Sequence, residues 1–127
     1  MKILIHSLYL IFSLFFVGGE PTDDIVAALK LGKSSELVKY FDEKVSIKLI
    51  NQEDVLSKSQ AEANLKYFFE KHPVKNFSGS HTSTVNNSQQ YITGTLETTN
   101  EKFRVSILIR RNLISQFRIE NANDWFH

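Results

Sequence analysis

Tyr40-Phe41-Asp42 and His81 are the residues of this chain whose types can do chemistry. An aspartate held in an apolar pocket beside a tyrosine can act as a general base, because burial raises its affinity for a proton. His81 is a second candidate base, or a group that orients a ligand, since imidazole changes charge near neutral pH. If residues 74–85 form an unbroken strand, its period of two puts His81 on one face with Phe77 and Val85. Each candidate has a plain structural counterpart. Tyr40 and Asp42 read equally as a buried tyrosine and a solvated acid at a helix end, and His81 as a core histidine satisfied by backbone. His72 and His127 form no short metal-ligand spacing with His81, so no metal site is expected. No cofactor-binding signature is present either. Ser78-Gly79-Ser80-His81 lacks the frame of a nucleophile elbow, and the absence of cysteine removes thiolate nucleophiles, thiolate metal sites and disulfides.

The elements that must position these residues run from helices to strands. Thr22 can cap a first helix whose opening acids, Asp23 and Asp24, suit the positive end of the helix dipole. Ile25, Val26, Ala28 and Leu29 form its apolar stripe, and Gly32 ends it. A second short helix opens at Ser34 and carries Leu37, Val38, Tyr40 and Phe41. Residues 45–49 alternate as a strand, 51–54 turn, and Val55-Leu56 pairs back briefly. Ser57 and Gln60 have capping-box spacing, which predicts a helix to about Lys71. Ala61, Leu65, Phe68, Phe69 and His72 make its apolar face, and His72 serves its C-terminus before Pro73. Strands follow over 74–85, 90–98 and from Phe103, with Arg111-Asn112 turning into a last strand through Ile119. The pattern predicts an α+β domain, with helices covering one face of a curved antiparallel sheet built on a four-stranded meander. Glu97, Arg104, Arg118 and Glu120 are expected to form cross-strand charge pairs on the other face.

Composition bounds the setting. Lys2 precedes an apolar run over residues 3–17, and Val17-Gly18-Gly19 places small residues before Glu20, the three-part pattern of a secretory signal peptide. Cleavage after Gly19 is expected, giving an exported protein of the periplasm or exterior with no membrane span after cleavage. The alternative is an uncleaved anchor, for which this run is at the short limit. Residues 20–127 suit one domain. The precursor carries 15 basic and 14 acidic side chains. Loss of Lys2 leaves the remainder formally neutral, a poor match for nucleic acid. The polar sheet face predicts a monomer or weak homodimer.

Further residues carry a resemblance. Asp24-Ile25, Ala28-Leu29-Lys30 and Gly32 are followed by Tyr40-Phe41, Ser57-Lys58, Gln60-Ala61 and Phe68-Phe69 before Pro73-Val74. Phe77 with His81, Tyr91-Ile92, Gly94, Leu96, Phe103-Arg104-Val105 and Ile119-Glu120 complete the set. With the order of elements, these residues resemble a family of small exported bacterial proteins known only as a domain of unknown function. That family has the nuclear transport factor 2-like, cystatin-like fold. The resemblance spans residues 20–120, with the tail 121–127 extending beyond the family end, and implies a bacterial envelope protein with helices packed into a conical sheet. Tyr40, Phe41, Phe69, Phe77, Phe103 and Phe117 would then face the cone interior. They would line an apolar ligand site, with His81, if the cone is incompletely filled, and be plain core otherwise. The leading expectation is a non-catalytic module that binds a small apolar ligand or an envelope protein. The alternatives are a ketosteroid-isomerase-like enzyme using His81 or Asp42 as base with Tyr40 nearby, and a structural accessory domain.

Overall fold

The computed structural model describes residues 21–122; the signal peptide expected over 1–19, the cleavage expected after Gly19 and the tail 123–127 lie outside the described residues. The chain opens with α1 (Pro21–Leu31) and α2 (Ser34–Leu37), and a 3-10 turn over Val38–Tyr40 leads into β1 (Phe41–Leu49). Then come β2 (Gln52–Ser57), α3 (Lys58–Lys71), β3 (Val74–Asn86), β4 (Gln89–Thr98), β5 (Lys102–Arg110) and β6 (Leu113–Asn121). α1 is helical from Pro21, the first described residue, and Thr22 is buried within it. The capping box of α3 forms as its sequence requires: Ser57 Oγ accepts from the Gln60 N–H, and the Gln60 side chain accepts from the Ser57 N–H.

The strands form one six-stranded sheet in the order β2-β1-β6-β5-β4-β3. The four-stranded meander is its larger part. β1 extends it by pairing parallel to β6, with Ile47 opposite Phe117 and Leu49 opposite Ile119, and β2 pairs antiparallel to β1. β1 begins four residues earlier than the alternation at 45–49 predicts, because Phe41 is already extended (φ −75°, ψ 142°). The turn that follows is also displaced. Leu49 pairs with Gln52, so Ile50-Asn51 makes the turn and Val55-Leu56 belongs to a longer strand. Register shifts in β1, β3 and at Leu108/Ile109 bend the sheet. The helices fill its concave side: α1 lies against β3, and α3 against β1, β2 and α2.

The core sits between these layers. Phe41, Phe77, Phe103 and Phe117 are at most 1% exposed. Phe41 meets Phe117 edge-on at 6.1 Å between ring centres, and Phe103 meets Phe68 of α3 at 5.4 Å. Gly94 is the place where β4 yields to this packing, since a methyl group there would collide with the Phe77 ring. On the convex side the charges pair. Glu120 takes Lys48 at 2.8 Å and Arg118 at 3.6 Å, while Arg118 also holds Glu53 at 2.8 Å. Glu97 pairs with Lys102 at 3.8 Å, and Arg104 stands opposite Glu120 in the β5–β6 register. This network ties β2, β1 and β6 together across the face that the sequence predicts to be charged.

Candidate functional site

The residues first singled out for chemistry do not converge. The Tyr40 hydroxyl donates to Asp24 Oδ2 at 2.9 Å, bridging the 3-10 turn to α1. Burial, then the hydrogen bond to Asp24 and its charge, push the phenol's pKa up. Asp42 turns to its own strand, where its carboxylate accepts the Glu43 N–H at 2.7 Å. His81 is exposed. The unbroken strand that would align it with Phe77 does not form, because β3 shifts register between Ser78 and His81, where Gly79 adopts φ 62°. A left-handed residue of this kind is what a bulge requires, and it re-aims the side chains beyond it. Phe77 therefore stays opposite Leu96 on the concave face, while His81 comes opposite Thr93 on the convex one. Of the seven residues named for a ligand site, Phe41, Phe69, Phe77, Phe103 and Phe117 are packed into the core. Tyr40 borders a shallow cleft of about 360 Å³ between α1 and α2.

A different region has the shape of a site. Two clefts, of about 440 and 250 Å³, share Leu49, Gln52 and Asn64 and together make one groove at the cone mouth, between the β1–β2 hairpin and α3. Its lining is mixed: Leu49, Ile50 and Phe68 make the α3 end mainly apolar, whereas the other end is mainly polar, with Ile47 buried beneath it. Its rim is polar. The side-chain amides of Asn51, Gln52 and Asn64 make no hydrogen bond among the described residues, so they are free to meet a ligand. Asp54 and Glu53 mark the β2 end, and Glu53 is already paired with Arg118. Lys71 and His72 mark the α3 end.

Local structure explains how these side chains arrive there. Ile50 has φ 61°, a conformation β-branched residues strongly resist, and its N–H donates to the Ile119 carbonyl at 2.7 Å. That bond pins the hairpin turn against β6 and holds Ile50 in the groove. His72 closes α3 as expected, with its N–H donating to the Phe68 carbonyl at 2.8 Å. Its ring rests on Phe68 at 4.6 Å and edge-on to Phe103 at 5.2 Å, which shuts Nδ1 in without a hydrogen-bond partner. Asn64 and Lys71 flank the apolar stripe of α3, and that placement was the one signal in the sequence that could have marked them.

Glu36 and Glu120 both have lowered pKa values, held down chiefly by hydrogen bonds from Lys39 and Lys48 respectively. Neither borders the groove. Among the described residues no three His, Cys, Asp or Glu side chains group as a metal site would require. No described helix is long and apolar enough to cross a membrane.

Comparison with known proteins gives the chain its family. The family model for "Domain of unknown function (DUF4783)" matches residues 22–121. A DUF4783 protein from Bacteroides ovatus is 34% identical, with 79% of this chain and 94% of that one covered, and superposes with a TM-score of 0.74. One from Bacteroides uniformis is 32% identical over 79% and 95%, also with a TM-score of 0.74. A Pseudomonas putida protein named as a polyketide cyclase shares the fold at 14% identity, covering 85% of this chain and 96% of that one, with a TM-score of 0.63. No curated protein matches the chain. With the core, register and family match in agreement, the chain belongs to the DUF4783 family and has the nuclear transport factor 2-like fold.

Proposed function

We propose that this protein is an exported, non-catalytic binding module that takes a small, largely apolar ligand in the groove between the β1–β2 hairpin and α3. The observation that carries this reading is the groove itself, an apolar patch at Leu49, Ile50 and Phe68 beside amides that make no hydrogen bond among the described residues. Unpaired polar groups around an apolar slot fix a ligand's orientation while burial supplies the affinity. The dispersal of Tyr40, Asp42 and His81 supports binding over the isomerase-like alternative, because general acid–base catalysis needs its groups within reach of one reacting atom. The leader at residues 1–19 supports export, and the charged convex face supports a monomer or weak homodimer.

Native mass spectrometry of the protein purified from its own envelope tests both parts. Extra mass that leaves on denaturation is expected, as is an N-terminus at Glu20. A bare polypeptide that also takes up no added amphiphile contradicts the binding reading, and an intact Met1 contradicts processing.

A further inference from the structure

The groove is electrically lopsided. At the α3 end the Lys71 ammonium lies 5.1 Å from the Tyr67 ring centre and has no carboxylate partner among the described residues. The His72 ring borders the same end with Nδ1 enclosed and unpartnered. An enclosed nitrogen without a partner is better tolerated as a bare lone pair than as an N–H. With a bare Nδ1, the ring's proton sits on Nε2, and that edge is a donor. The free amides of Asn64 and Gln52 add further donors where the two halves of the groove join. The acids, Glu53 and Asp54, are confined to the far end, and Arg118 neutralises Glu53.

We propose that the α3 end receives a carboxylate, so that the ligand is a single-chain amphiphile with an anionic head at Lys71 and His72. Its chain lies over Phe68, Ile50 and Leu49, in the half of the groove whose exposed surface is mainly apolar. The inference rests on the groove being the binding site. A charge-assisted contact from Lys71, joined by a neutral donor from His72, recognises a carboxylate more strongly than a hydroxyl of the same chain length.

Isothermal titration of the mature protein with dodecanoate, dodecanol and dodecyltrimethylammonium, each kept monomeric, tests the point. Dodecanoate is expected to bind roughly tenfold more tightly than dodecanol. Lys71→Gln, at an exposed position that does not endanger the fold, is expected to erase most of that advantage. Equal affinity for acid and alcohol, or preference for the cationic amphiphile, overturns the carboxylate assignment and leaves the groove standing. Failure of all three to bind overturns the groove reading and this inference with it.

Discussion

Glu120 lies between two cations on the convex face, and its environment makes a prediction at the scale of one residue. The Lys48 hydrogen bond is the largest influence and lowers its pKa; burial opposes it, and Arg118 adds to the lowering. A carboxylate with a lowered folded-state pKa contributes stability that is fully present above its unfolded value, near 4.5, and lost as pH falls through the lower folded value. Urea midpoints of the wild type are therefore expected to fall below about pH 4.5. Glu120→Gln should be less stable at neutral pH and show a shallower acid limb. An unchanged limb in the variant would mean that the Lys48 pair does not couple folding to pH. The side chains themselves were unevenly legible in the sequence. Arg118 and Glu120 were readable as a charged face from period two alone. His81 was misplaced by period two, because one bulge at Gly79 reverses which face it joins, and the isolated glycine in the strand is that bulge's local sign.

At the scale of elements, the β1–β2 hairpin links stability to binding. Ile50 in a left-handed conformation costs about 1–3 kcal/mol, strain that persists only where the surroundings impose it. Here the Ile119 carbonyl and the groove impose it. Ile50→Gly relieves the strain and gives up apolar contact, so the two effects offset. Thermal unfolding is expected to shift by only a few degrees, roughly the scale of 1 kcal/mol in a domain of this size, while dodecanoate binding weakens several-fold. A large loss of Tm with unaltered binding would assign Ile50 a purely structural role. The helices were legible because their signals are local: the Ser57–Gln60 capping box, the stripe at Ala61, Leu65 and Phe68, and the stop at Pro73. The parallel pairing of β1 with β6 was not, since it joins segments far apart in the chain and leaves no mark in either. The groove went unseen for the same reason, being built from a hairpin and a helix that only the completed sheet brings together.

For the whole molecule, the fold divides labour between its two faces. The concave side is filled by Phe41, Phe77, Phe103 and Phe117, so the interior that the resemblance offered as a ligand cavity is occupied by the protein's own side chains. The clefts lie instead at the mouth, between α3 and the β1–β2 hairpin. The convex side is knitted by ion pairs across β2, β1 and β6. Family membership fixes this frame without naming a ligand, because the same fold carries unrelated activities. Binding at the mouth is checked by mapping amide chemical shifts of the labelled protein during a dodecanoate titration. Shifts are expected to concentrate at Leu49, Ile50, Gln52, Asn64, Lys71 and His72. Shifts confined to the convex sheet or to the cleft beside Tyr40, or no shifts at all, would contradict it.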